Sequence, residues 1–327
     1  MRLIPVFLSH AGCPGRCLFC HQRAQTGQVQ VPVAQLEACV EAALDGVHGP
    51  VGLGFFGGTF TGLPQEIQQR LVDRAHRRVE HCGGLVHVRV STRPDALTPD
   101  AVRWLRRLGV HMVELGVQTF SEQVLARCGR PMSGAQIRRA CALVQEAALD
   151  LGIQLLPGLP GHRVEDWQED VTQTLETKPK IVRVYPCLVL AGSAVARLWQ
   201  QGRFVPWDLE ATIGCLADAL PRFWRQGIRV VRIGLAPQPG MEVVAGPWHP
   251  AMGNMARGLA LARLVMRAAQ GRPLAGMDAP RWVQGDLWGY QGRLRPLWRQ
   301  LGIGKGNIAW TDTEGIRLWK HPSTCIQ

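Results

Sequence analysis

The sequence predicts an α/β protein: a partial (β/α)6 barrel followed by a small basic C-terminal α+β domain. Three observations predict it. Apolar, β-branched runs alternate with longer helix-like segments through roughly the first 190 residues, the pattern of a parallel sheet flanked by helices. Glycine and polar residues gather directly after those runs, so they fall at one end of the sheet. Basic residues concentrate late in the chain: from Ala251 onward there are 11 Lys and Arg against 4 Asp and Glu, which is +7 of a net +12.

In order, the strand-like runs are LIPVFLS (3–9), VGLGFFGG (51–58), VHVRVST (86–92), HMVELGVQT (111–119), IQLLPGLPG (153–161) and IVRVYPCLVL (181–190). Helical patterns lie between them, near 32–45, 65–81, 99–108, 121–127, 134–150 and 165–177. Pro64, Pro99 and Ser133 mark helix starts, and Gly109 and Gly152 fall near helix ends. Six such units are fewer than the eight of a closed barrel, hence a partial one. Helices are expected at 193–201 and 208–226 and a further strand at 227–236, after which the texture turns rich in Pro and Gly. The expected organisation is a core at 1–236, a connecting loop at 237–255 and a basic domain at 256–327.

With 327 residues, 46% of them hydrophobic and 19% charged, the chain can bury a substantial core. No stretch reaches the roughly 20 apolar residues that span a bilayer, and the short apolar start lacks a small-residue cleavage site. A cytoplasmic protein with no membrane partner is expected. Seven of the ten cysteines (Cys39, Cys82, Cys128, Cys141, Cys187, Cys215 and Cys325) are scattered singly, several in helical patterns, as reduced core residues in a reducing compartment.

The other three crowd into GCPGRCLFCHQR (12–23) as Cys13, Cys17 and Cys20, a C-x3-C-x2-C spacing. Disulfides use cysteines in pairs and structural zinc normally takes four ligands. Three thiolates can hold three irons of a 4Fe-4S cluster and leave the fourth open to chelate a substrate. A zinc site completed by His10 or His21 is the alternative that spacing alone leaves open.

The triad, with Phe19 before its last cysteine, resembles the signature of the radical S-adenosylmethionine (SAM) enzymes. Further segments follow in the order found in one branch: GFFGGTFTGLP (54–64), STRPDALT (91–98), VELGVQTFSEQVLARCGR (113–130), LLPGLPG (155–161) and RVYPCLVLAGSAVARLWQQGRF (183–204). Together they are similar to the radical SAM domain of the elongator complex catalytic subunit and its stand-alone bacterial relatives, over roughly residues 4 to 235. The resemblance implies a radical SAM partial barrel that cleaves SAM reductively at a 4Fe-4S cluster to a 5′-deoxyadenosyl radical. It implies Cys13, Cys17 and Cys20 as cluster ligands and reduced flavodoxin or ferredoxin as electron donor.

Carried over by position, Phe19 is expected over the cluster with its backbone near the adenine. Gly57, Gly58 and Thr59 are expected to receive the methionyl amino group, through carbonyls and a hydroxyl that accept from an ammonium. Arg93 is expected to pair with the SAM carboxylate or a nearby acid. Glu114 and Gln118, on one strand face, are expected to reach the ribose or sulfonium. Arg183 stands where that branch's strand is expected to carry lysine, beside Tyr185, a substrate candidate.

His249, in GPWHPAMGNMARG (246–258), is a second substrate candidate. In the tail, Gly289-Tyr290-Gln291-Gly292 is a GxxG before a basic helix-like segment and NIAWTDTEGIRLW, which reads as a strand pair. The arrangement resembles a minimal KH module, and makes Gly289, Gly292, Arg293 and Arg295 RNA-binding candidates. The resemblance and the basic tail together point to RNA, a transfer RNA base above all. A small metabolite with the tail as a lid is the enzymatic alternative, and a nucleic-acid-binding protein with structural zinc is the alternative of another class. Neither a second cysteine triad nor an acetyltransferase-like segment accompanies the core.

Overall fold

The structure is a computed structural model that describes residues 2–27, 30–80 and 83–320. Cys82 and Cys325 lie outside the described residues. The chain forms two compact units, one reaching to Asp208 and including Gln226–Trp248, the other comprising Leu209–Arg225 and the residues from His249 onward. The helix Leu209–Arg225, which the sequence assigns to the core, thus groups with the second unit.

Seven parallel strands build the first unit. They are β1 (Arg2–Phe7), β2 (Val51–Phe56), β3 (Leu85–Thr92), β4 (Met112–Gln118), β5 (Asp150–Leu155), β6 (Ile181–Val184) and β8 (Arg229–Ile233), side by side in that order. One face is continuous aliphatic core: Val6, Leu53, Val90, Val113, Ile153 and Val182 are each at most 1% exposed. The helices Leu36–Leu44, Gln65–Val79 and Gly134–Glu146 bury their own aliphatic stripes. The alternate residues, among them Phe56, Arg89, Glu114, Gln154, Arg183 and Tyr185, share the opposite face, because side chains alternate along a strand and stay in step across a parallel sheet.

Three elements differ from the sequence reading. The helix beginning at Gly134 stops at Glu146, where Ala148 takes a left-handed φ of 54°. Gly152 therefore lies inside β5 rather than at a helix end. A Cβ there would come within 2.9 Å of Glu114 Cγ, so its lack of a side chain makes room for the carboxylate chain of the next strand. The run 181–190 divides into β6 and a short β7 (Val189–Leu190), which pairs antiparallel with β9 (Val243–Ala245) from the Pro/Gly-rich segment.

The third difference is in the second unit. Its sheet is centred on β10 (Leu274–Pro280), a strand whose Gly, Asp and two Pro neighbours concealed it. β11 (Ile308–Thr311) runs parallel to β10 on one side and β12 (Arg317–Lys320) antiparallel on the other. The expected strand pair is thus separated by a third strand. The helix Met252–Ala269 and the buried Trp298 close this unit's core, with Trp298 donating from Nε1 to the Leu287 carbonyl at 2.6 Å.

Candidate active site

The cysteine loop leaves the carboxyl end of β1 and is fixed to the segment after β2 almost entirely by backbone. Leu8 N donates to Phe56 O (2.7 Å), His10 N to Gly57 O (2.9 Å) and Thr59 N to Ala11 O (2.9 Å). At this approach no side chain fits. A Cβ on Gly58 would sit 2.4 Å from Ala11 O, and Cβ atoms on Gly12 and Gly62 would each lie 2.2 Å from the facing carbonyl. Gly57 takes a φ of 84°. Thr59 is fully buried, its hydroxyl 3.2 Å from Cys13 Sγ.

Cys17 and Cys20 are surrounded by N–H donors. Cys17 Sγ accepts from Arg130 Nη1 at 3.5 Å and Arg93 Nη1 at 3.7 Å, and Cys20 Sγ accepts from Gln22 Nε2 at 3.4 Å. Burial pushes the Cys20 thiol up to about 11 despite the Gln22 hydrogen bond, with the neighbouring Cys17 and Cys13 adding to the rise. A thiolate there needs a cation beside it, and N–H donors to sulfur are the surroundings that suit a coordinated thiolate. Among the described residues, no three His, Cys, Asp or Glu side chains converge as around a single metal ion. His21 is otherwise engaged: its Nδ1 accepts from Ala24 N at 3.2 Å and caps the helix Gln22–Thr26.

Beside Gly57 lie buried polar side chains. A Cβ on Gly57 would meet Gln22 Oε1 at 2.9 Å and the Ser9 Cα at 3.7 Å. Gln22 Oε1 and Ser9 Oγ are both buried without a hydrogen-bond partner, as is Gln118 Oε1 at the end of β4, where Gln118 adopts a φ of 72°. Buried acceptors left open are costly, and an ammonium satisfies several at once.

Arg93 grips Asp95 through Nε (2.8 Å) and Nη2 (2.5 Å), so its partner in this structure is the nearby acid. Burial would raise the Asp95 carboxyl, but Arg93 outweighs it and holds it below the usual carboxylate range. Arg130 is 3% exposed, donates to Gly116 O at 2.5 Å and has no acid within ion-pair distance among the described residues. It brings an unneutralised positive charge to the cysteines. Sequence reading missed it because 113 residues separate it from Cys17.

Glu114, 2% exposed, is held between two arginines. Arg183 Nε lies 2.7 Å from Oε2 and Arg89 Nη1 3.6 Å from Oε1. Arg183 also reaches the Tyr185 hydroxyl (3.3 Å) and stacks on Phe56 at 5.0 Å. The expected ribose contact of Glu114 is therefore matched by internal partners, and the cluster keeps one net positive charge. Arg89 was findable: it stands between Val88 and Val90, which face the core. Phe19 and Tyr185 come together on one apolar cluster with Val124, Cys128 and Leu156, and the Leu18 amide is tied to Cys128 O at 3.1 Å.

The remaining sites belong to the second unit. His249 accepts from Ala251 N at 3.0 Å and meets Tyr290 edge-on at 4.6 Å, ahead of the helix Met252–Ala269. Gly289 and Gly292 both take positive φ, 66° and 75°, and Cβ atoms there would meet the chain's own Leu294 (2.8 Å) and Arg295 (2.9 Å). Arg293 and Arg295 are exposed.

Comparison with known proteins agrees with this geometry. The family profile described as Radical SAM superfamily matches residues 8–173, and that of the Radical_SAM C-terminal domain matches 179–283. A tRNA uridine(34) acetyltransferase of Methanocaldococcus infernus is 26% identical over 283 residues, covering 70% of this chain and 51% of the relative. The heme chaperone HemW of Bacillus subtilis is 25% identical over 189 residues, covering 57% of this chain and 49% of that one. The chain thus spans about half the length of these relatives. The archaeal Methanocaldococcus infernus Elp3 with an N-terminal deletion shares the fold at a TM-score of 0.62 and 22% identity, covering 84% of this chain and 66% of that one. Six ordered motifs, a parallel half-barrel and a profile match over half the chain lead to one conclusion: the protein is an enzyme of the radical SAM superfamily, similar to elongator-like members among others.

Proposed function

We propose that this enzyme cleaves SAM reductively at a 4Fe-4S cluster held by Cys13, Cys17 and Cys20 and uses the resulting radical to modify a transfer RNA base. The observation that supports it best is the cysteine loop itself: three thiols at the carboxyl end of a parallel sheet, with Arg130, Arg93 and Gln22 donating to sulfur. When bound, the cluster supplies one electron to the sulfonium of SAM, which parts into methionine and a 5′-deoxyadenosyl radical that abstracts hydrogen from a substrate carbon.

The chain's own residues bind and orient. Gln22 Oε1 and Ser9 Oγ are acceptors open to the methionyl ammonium beside Gly57. Arg130, lacking an acid, is the guanidinium available to the methionyl carboxylate, while Arg93 is committed to Asp95. Gln118 Oε1 is open to a ribose hydroxyl. Phe19 and Tyr185, packed against one apolar cluster, supply apolar surface suited to excluding water from a radical. The RNA reading rests on the transfer RNA-modifying relatives and the basic second unit.

Cys17→Ala tests the ligand assignment. After anaerobic reconstitution the wild type is expected to hold four irons, absorb as a 4Fe-4S protein and release 5′-deoxyadenosine with dithionite and SAM. The variant should lose both colour and product. A full cluster in the variant, or stoichiometric zinc in the wild type, overturns the assignment.

A further inference from the structure

The RNA-binding candidates of the tail lie around the Gly289–Gly292 turn, but the glycines there are explained without RNA. Both have positive φ, and each makes room for a side chain of the next few residues. The loop Gly302–Asn307, GIGKGN, is different. Gly302 is required by its φ of 73° and by Leu274 O, 2.7 Å from where its Cβ would be. Gly304 has an extended φ of −134°, Gly306 has no positive φ, and a Cβ on either would meet nothing within 4 Å.

Glycine at a position that any residue could adopt leaves the unfolded chain needlessly free, and replacing it ordinarily stabilises a protein. Neither conformation nor packing in this chain therefore accounts for Gly304 and Gly306. The same holds for Gly15, Gly285 and Gly315, so what sets this loop apart is the charge around it, while its open space admits a ligand close to the backbone. The loop is ordered for it: Asn307 Oδ1 accepts from Gly304 N (2.8 Å), and Asn307 Nδ2 donates to Gly302 O (2.8 Å) and Ala275 O (3.0 Å), with Lys305 exposed at the tip.

The charges around it have one sign. Leu274 N bonds Leu301 O at 2.8 Å and Leu274 pairs with Lys320 across the sheet, so Arg272, Arg299, Lys305 and Lys320 are all placed at the starting end of β10. All four are exposed, and none has a carboxylate partner among the described residues. The acids of this sheet sit at its other end, already paired, as Asp278 with Arg317 and Asp312 with Arg281.

We propose that the Gly304-Lys305-Gly306 loop, with Arg272, Arg299 and Lys320, grips the phosphodiester backbone of the RNA substrate. This rests on the RNA reading above and names its surface. The unobstructed space at Gly304 and Gly306 lets a phosphate come close to the loop, and the four cations neutralise phosphates and release counterions.

Fluorescence anisotropy of the reconstituted full-length enzyme with bulk transfer RNA, titrated at several salt concentrations, tests it. Lys305→Glu with Arg299→Glu should weaken binding at least tenfold near 0.1 M salt and lower the salt slope by about two. Gly304→Gln with Gly306→Gln should leave the unfolding midpoint unlowered, because the space is open, yet weaken binding about tenfold. Arg293→Glu with Arg295→Glu should change affinity no more than about twofold. Wild-type affinity in both loop variants overturns the surface and leaves the RNA reading intact. Losses confined to the Arg293 and Arg295 variant also overturn it. A wild-type enzyme that retains no transfer RNA at low salt overturns the surface and the RNA reading together.

Discussion

The cysteine loop, at the ends of β1 and β2, and the concave face of the half-barrel, within β3, β4 and β6, are built in opposite ways. The loop is held by backbone on backbone, with Gly12, Gly58 and Gly62 at approaches of 2.2–2.4 Å that no Cβ survives. The concave face is held by charge, with Arg89 and Arg183 closing on Glu114 and one positive charge left over. A backbone joint fixes geometry to a fraction of an ångström and tolerates no variation. A set of long charged side chains can be exchanged, and so can adapt one scaffold to different substrates.

Breaking the backbone joint should have the largest effect. Gly58→Ala sets a methyl against Ala11 O at 2.4 Å and Leu8 O at 2.6 Å, so the cysteine loop must lift from β2. Iron content and 5′-deoxyadenosine formation should both fall to background, while circular dichroism still reports the folded sheet. Full iron loading of this variant would mean that the loop is not held as described.

Breaking the charge set should cost stability instead. Glu114→Ala leaves two half-buried guanidinium groups facing each other, a loss of up to about 3 kcal/mol by urea unfolding. Replacing Arg183 as well, by Met, should recover part of that loss, since the repulsion then disappears. Additive losses in the double variant would show that the three do not act as a unit.

Arg130→Gln sharpens the contrast at the boundary between the two regions. It removes the unpaired charge beside Cys17 while keeping a donor to Gly116 O. SAM affinity, measured by equilibrium dialysis on the reconstituted protein, should drop about tenfold, close to 1.4 kcal/mol. Unchanged affinity would return the carboxylate to Arg93.

The smallest effect concerns pH. Burial and the charge of Arg89 lower the His87 imidazole to about 4 on the concave face. The unfolded chain binds that proton from near 6.5, so this group's contribution to stability is full above that pH and declines as pH falls toward 4. His87→Gln should flatten the acid side of a midpoint-versus-pH plot over that window and leave neutral pH little changed. An identical slope in the variant would place the acid sensitivity elsewhere.

The same contrast explains what could be read from sequence. Cys13, Cys17, Cys20 and Gly57-Gly58-Thr59 were legible because local spacing and glycine record a backbone constraint. The strands were legible because a buried parallel sheet writes itself as aliphatic runs. Arg130, Ser9 and Gln22 were not, since a lone polar residue after a helix or strand looks like any loop residue until the fold brings it to the thiols. Gly152 was misread because a strand glycine that admits a neighbouring carboxylate and a helix-ending glycine look alike in one dimension. β10 escaped because tertiary pairing on both edges outweighed its poor strand composition.

The most direct test of the account is anaerobic turnover of the reconstituted enzyme with dithionite and SAM, following 5′-deoxyadenosine with and without bulk transfer RNA. The account predicts a slow basal release that rises severalfold with the RNA. Release that is indifferent to transfer RNA would contradict the RNA substrate, and no release from a protein with a full cluster would contradict the radical chemistry itself.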